Sequence, residues 1–444
     1  MRTNVSLIGI SLGYFMVLLD TTVVAVAEPD LAASLGTSVH GLQWVTTAYT
    51  VTFAALLLSA GAIADAVGAR RTFRTSVLAF GVLSALCAAA PSVDVLVGLR
   101  ALLGAAAAAC VPASLVLVAR LHPEPARRAK AVALWATISG SAVALGPVVG
   151  GALVELAGWR AVFLVNVPVT LVVLAAAAGG GGEVRSRRRI DLRSHAAVIA
   201  TLALGTDALI AAGAGAWVHA GVGGLAAAVV AGLLARHERT STAPALDPAV
   251  LGAPGVRAGL LAGAAVNLTL AGTLFVLPLV LAARFGPLGT GLALLPMTVP
   301  FVANPPVTAR LVARYGPRPA ILLGLGLLAA GTAGLAAAIA IDAAYPAIAA
   351  GLLAVGLGVS FALPALAGSV VTAVPAEVAG AAGGMLNTAR QAGATVGVAV
   401  MGALAGGASF LPATAICLLA ALTFSRARQA RGTDGVDHGQ MAAS

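Results

Sequence analysis

The chain has 444 residues, of which 60% are hydrophobic and only 9% charged, where a soluble domain carries about 25% charged residues. Its mean hydropathy of +1.00 excludes a water-soluble enzyme or binding module. The apolar runs are also far longer than the alternating strands of a membrane barrel. The net charge of +10 does not mark a nucleic-acid binder, because the basic residues sit in short clusters between apolar runs.

Taken in chain order, the apolar runs predict an all-α integral membrane protein with about fourteen transmembrane helices. They lie near 6–27, 42–64, 73–92, 94–118, 131–155, 158–178, 195–213, 217–235, 256–283, 288–308, 319–340, 344–371, 382–406 and 408–424. Arg2, an apolar stretch and Ala25-Val26-Ala27 mimic a secretion signal, but the run is long for one and holds Asp20, so it reads as span 1. With the N-terminus placed in the cytoplasm, only Arg160 and Arg284 fall in outside loops, and Arg100 and Arg390 fall within spans. A missed or extra span would invert this bias, so both termini are expected inside a cell membrane. The glycine- and arginine-rich 179–194 and the stretch 236–255 read as linkers. The expected organisation is a six-helix bundle at 1–178 and a linker with two extra spans at 179–255. A second six-helix bundle follows at 256–424, then a cytoplasmic tail at 425–444. The glycine-bearing basic loops after spans 2 and 10 stand at matching positions, as in repeats that enclose a transport site.

Span 1 carries the sharpest signal. A carboxylate in the membrane costs roughly 2.5–3.5 kcal/mol on insertion scales, so Asp20 is expected either to fix packing or to couple a proton. Burial favours the neutral carboxyl and a nearby cation favours the ionised one, so a group held between them can bind and release a proton. Glu28 follows eight residues on, about 80° around the helix and roughly 12 Å further along, either as a second proton carrier or as a solvated helix end. Tyr14, Phe15, Trp44 and Tyr49 are candidates to line a cavity for flat or lipophilic cations, Trp44 equally fitting an interfacial belt. In the loop "GAIADAVGARR" (61–71), Gly61 allows close helix approach and Gly68 a sharp turn. Asp65 there is placed to accept backbone N–H groups and to pair with an arginine such as Arg70 or Arg71.

Arg100 keeps its proton and needs a partner inside span 4, so it is read as a counter-charge in the proton pathway. In span 5, Gly140, Gly146, Gly150 and Gly151 with Pro147 make a small-residue face that packs and bends. Asp207 reads as peripheral. Asn387, Arg390 and Gln391 read as a polar patch near the inner start of span 13, with Asn387 and Gln391 further candidates to line the substrate cavity and Arg390 free to snorkel. The three cysteines fall in apolar runs and the six histidines are dispersed, so no disulfide, metal site or cofactor is expected. There is no phosphate-binding loop of the GxxxxGK[ST] form, which leaves an ion gradient as the energy source.

Several of these stretches resemble motifs of the major facilitator superfamily. "GAIADAVGARR" is similar to its loop between spans 2 and 3. "LVGLRALLGAAAAA" (96–109) resembles its span 4 motif, with Leu103 in place of the usual polar residue. "GSAVALGPVVGG" (140–151) resembles the antiporter motif of span 5. "LLDTTVVAVAEP" (18–29), "WVTTAYTVTFAALLLSAG" (44–61) and "NTARQAGATVGVAV" (387–400) resemble the fourteen-span drug:proton antiporters. Departures from the group are Ala25 for Asn, Glu28 for an aliphatic residue and Ala66 for a basic one. The resemblance implies a monomeric exporter of small drug-like molecules in exchange for protons, with no enzymatic activity and the lipid bilayer as surroundings. An uptake symporter of the same fold and a non-transporting sensor or scaffold are the alternatives.

Overall fold

The computed structural model describes residues 2–122, 124–176, 192–239, 248–375, 378–404 and 406–427. Among these the chain is helical throughout, with no strand. The helices are α1 (Arg2–Leu35), α2 (Val39–Val67), α3 (Ala69–Ala88), α4 (Val93–Leu121), α5 (Pro125–Ala157), α6 (Arg160–Leu164) and α7 (Asn166–Ala176). They continue with α8 (Leu192–Gly213), α9 (Trp217–Glu238), α10 (Pro248–Gly252), α11 (Pro254–Ala293), α12 (Leu295–Thr298), α13 (Pro300–Ala303) and α14 (Pro305–Tyr315). The last are α15 (Pro317–Ala340), α16 (Tyr345–Thr372), α17 (Ala379–Gly402) and, after a 3-10 turn at Gly406–Phe410, α18 (Leu411–Arg426). Helices are what such apolar runs must form, because lipid offers nothing to satisfy a backbone N–H or C=O.

Nine stretches among the described residues are long and apolar enough to cross a bilayer. Length and composition alone therefore do not return the expected fourteen crossings. One of the nine, Pro254–Ala303, has 50 residues, about 75 Å if straight, against a hydrocarbon core of about 30 Å. It is not straight: Gly286 leaves helical geometry at φ 65°, ψ −176° and two helices meet there. Beyond it the expected span at 288–308 is broken into the end of α11 and then α12, α13 and α14, these three each with proline in the first turn, where the missing N–H costs nothing. Span 1 also differs from expectation. It runs to Leu35 through Pro29, so Glu28 lies inside the helix and not at its end.

Among the described residues seven glycines have positive φ: Gly36, Gly68, Gly158, Gly215, Gly286, Gly316 and Gly406. An L side chain is disfavoured there. Three pairs stand out, Gly36 with Gly286, Gly68 with Gly316 and Gly158 with Gly406, separated by 250, 248 and 248 residues. Gly215 turns α8 into α9 and has no counterpart among the described residues.

Helices α1 to α7 pack among themselves, as do α11 to α18, while α8 and α9 pair with each other and α8 rests on α2 and α17. The first and fifth crossings of each group meet through glycine. A Cβ on Gly150 of α5 would lie 2.8 Å from the Val23 carbonyl of α1, and one on Gly146 would overlap Thr22. In the second group a Cβ on Gly393 or Gly397 of α17 would strike the Ala264 or Leu268 carbonyl of α11. Gly324 and Gly331 of α15 likewise sit on Gly358 and Gly351 of α16. Backbones this close gain the dispersion contact that drives helix association in lipid.

Candidate functional site

The centre of the first helix group is polar. Asp20 is fully buried and Arg100 is 1% exposed. The carboxylate oxygen Oδ2 of Asp20 on α1 pairs with Nη1 of Arg100 on α4. Asp20 Oδ1 accepts from Nδ2 of Asn166 on α7 at 3.2 Å. The same amide nitrogen donates to Ser84 Oγ of α3 at 3.0 Å, and Ser84 donates to the Phe163 carbonyl at 2.9 Å. Arg100 Nε donates to the Val45 carbonyl of α2 at 3.1 Å, and its guanidinium carbon lies 4.5 Å from the ring centre of Tyr49 and 5.9 Å from that of Phe163. Taking two ions out of water costs several kcal/mol each and is offset only by close pairing and further hydrogen bonds. Both are met here, by six helical segments and two aromatic faces.

Glu28 is 1% exposed, which corrects the reading of a solvated helix end. Its Oε1 accepts from Thr46 Oγ1 of α2 at 3.0 Å, and Oε2 has no hydrogen-bond partner among the described residues. Arg100 is within electrostatic range of it. One arginine thus lies near two carboxylates and is bonded to one of them.

The expected cavity residues divide. Tyr49 is 1% exposed, stacked on Phe53 and under Arg100, with its hydroxyl unpartnered; it belongs to the buried ion pair and not to a cavity wall. Trp44 is half-buried near the start of α2. Tyr14 is half-buried and stacks on Trp135 of α5 with ring centres 4.9 Å apart and planes 19° off parallel. Asn387 is exposed and Gln391 half-buried on α17. Arg390 Nη1 donates to Asn387 Oδ1 at 3.0 Å and its Nε to Asn267 Oδ1 of α11 at 3.3 Å. Asp207 pairs with His219 at 2.6 Å between α8 and α9, away from both clusters.

On α5 the glycines face two ways. Gly146 and Gly150 meet α1, while Gly151 meets the Pro287 carbonyl of α11, 2.6 Å from where a Cβ would sit. The Pro147 carbonyl in turn presses on Gly291. Gly140 faces open space, so it takes no part in this packing. Gly68 makes the turn between α2 and α3 alone, at φ 103°, ψ 126°. Arg70 and Arg71 stand in the first turn of α3. The backbone at Gly61 and Asp65 is part of α2, and the Asp65 side chain lies outside the described residues.

The two helix groups meet along α2 with α17 and along α5 with α11. Gln43 Nε2 donates to the Val398 and Ala399 carbonyls at 3.1 and 2.9 Å. The hydroxyls of Thr50 and Thr395 are 2.8 Å apart. These bonds join the early turns of α2 to the late turns of α17, so they gather toward the end of the molecule away from the N-terminus. Asn166, Ser84, Gln43 and Trp135 are not singled out as partners by the sequence pattern. Each is a polar or aromatic residue within an apolar run, and that was their only signal.

A model described as the Major Facilitator Superfamily matches residues 10–398 and 259–435. The methylenomycin A resistance protein of Streptomyces coelicolor is 34% identical over 409 residues, covering 90% of this chain and 85% of its own length. The tetracenomycin C resistance and export protein of Streptomyces glaucescens is 32% identical over 410 residues, covering 90% and 75%. Among solved structures, a POT family transporter in complex with a thioalcohol-conjugated peptide aligns with a TM-score of 0.71 at 11% identity, over 95% of this chain and 94% of that one. At that identity the likeness is one of fold.

Proposed function

The chain belongs to the major facilitator superfamily, whose members are transporters and not enzymes, and from that premise we propose that it exports small amphipathic drugs or antibiotics in exchange for protons. Relatives named for antibiotic resistance and export support the cargo class. The observation that carries the coupling is the Asp20–Arg100 pair, fully enclosed in an apolar bundle with Glu28 close by. Protonating Asp20 removes the charge that Arg100 compensates. The guanidinium keeps its own proton, so it turns to the next acceptor, and Glu28 has an oxygen free to receive it. Shifting one arginine between carboxylates on the same helix moves α4 against α1, which the α5 glycines pass on to α11.

In this reading the chain is a monomer with fourteen crossings, divided at 178 and 255, and both termini are cytoplasmic because the loop arginines then fall inside. The end closed by α2 with α17 then faces outward. Loss of the proton gradient should stop efflux of a fluorescent drug from loaded cells. Asp20→Asn should do the same while the protein still reaches the membrane. Efflux that persists in the presence of a protonophore would rule out the coupling.

A further inference from the structure

Arg390 is the one intramembrane arginine that the coupling scheme leaves idle. It lies eleven residues from the start of α17 and twelve from its end, about 17 Å from either. That is too far for a side chain to snorkel, which corrects the expectation of a patch near the helix start. Its hydrogen bonds go to two amide oxygens, Asn267 Oδ1 and Asn387 Oδ1. No carboxylate among the described residues pairs with it. Amide dipoles solvate a guanidinium but do not balance its charge, and a charge held at this depth calls for a counter-charge.

The contrast with Arg100 is direct. Arg100 has its anion and is sealed at 1% exposure. Arg390 has none and is half-buried beside the exposed Asn387. Across from it, on the other helix group, Tyr14 lies within electrostatic range, and Tyr14 is stacked flat on Trp135. A cation on α17 and a two-ring aromatic stack built from α1 and α5 thus lie on opposite helix groups within range of one another.

We propose that Arg390 anchors an anionic group of the exported molecule, a carboxylate or an acidic phenol or enol, while the flat remainder lies against Tyr14 and Trp135. Guanidinium offers a carboxylate two parallel N–H donors, and an aromatic face suits a planar ring. The preferred cargo is then a flat organic acid, opposite in sign to the lipophilic cations the aromatics alone suggested. This rests on the export reading for the word cargo, but binding itself needs no proton gradient.

The test uses the full-length protein in nanodiscs and two matched probes, anthracene-9-carboxylate and protonated 9-(aminomethyl)anthracene, with binding read by energy transfer from tryptophan. The acid should bind at least tenfold more tightly than the amine. Arg390→Gln should remove that preference and Arg390→Lys should keep part of it. Asn387→Asp supplies an internal carboxylate to Arg390, so it should weaken the acid at least tenfold with the arginine still in place; it also serves if Arg390→Gln fails to fold. Equal binding of the two probes, or acid binding unchanged in a folded Arg390→Gln or Asn387→Asp, would overturn the proposal. Selective acid binding together with protonophore-insensitive efflux would instead sink the coupling and leave Arg390 its role.

Discussion

At Asp20 the protein holds a carboxylate where neither water nor lipid reaches it, and every partner it needs comes from a different helix. Removing one member of a buried pair strands the other, at a cost of about 3–5 kcal/mol. Arg100→Met should therefore lower the thermal midpoint in detergent clearly, and the double variant Asp20→Asn/Arg100→Met should recover much of the loss. Neither should transport. Recovery of stability without recovery of transport, read by size-exclusion after heating, would separate the structural from the coupling role. Glu28→Gln should leave folding intact but flatten the dependence of efflux on external pH, measured from acidic to neutral medium. An unchanged profile would remove Glu28 from the proton path. The two ends of this pair were legible in the sequence, because an acid or arginine inside an apolar run announces itself. Their partnership with Asn166 and Ser84 was not, because it depends on how α1, α3, α4 and α7 cross, and short polar side chains in lipid-facing and buried positions read alike.

Among the elements, α5 shows where the sequence pattern stops. Four glycines and a proline marked it as a packing helix, yet periodicity alone did not say which glycine meets which neighbour. Gly150 is pressed on the Val23 backbone, whereas Gly140 looks into open space. Gly150→Leu should abolish both expression and efflux, since a backbone carbonyl 2.8 Å from the new Cβ has nowhere to go. Gly140→Ala should be silent or slightly stabilising, because alanine also favours the helix by up to about 1 kcal/mol. Immunoblots of membranes together with an efflux assay would check both. The α1 boundary was misplaced for a related reason. The acid at 28 and the proline at 29 look like a helix end, but the helix runs on to Leu35 with Leu31 buried and the Asp30 carboxylate accepting from the Trp159 N–H at 2.8 Å.

For the molecule as a whole, alternation of loop charge predicted an even number of crossings, but which end is closed could be read only from the contacts between α2 and α17. If those contacts must part during transport, Thr50→Cys with Thr395→Cys, whose hydroxyls now stand 2.8 Å apart, should form a disulfide that halts efflux, and reduction should restore it. Full efflux by the oxidised protein would mean that this seam never opens. The paired left-handed glycines carry a wider consequence. Across each half, the number of residues from one turn to the next has held almost constant, at offsets of 250, 248 and 248. One inserted residue would advance a helix by about 1.5 Å and swing every later side chain through about 100°. A bilayer of fixed thickness thus acts as a ruler on the chain, setting the length from turn to turn while leaving the residues in between free to differ.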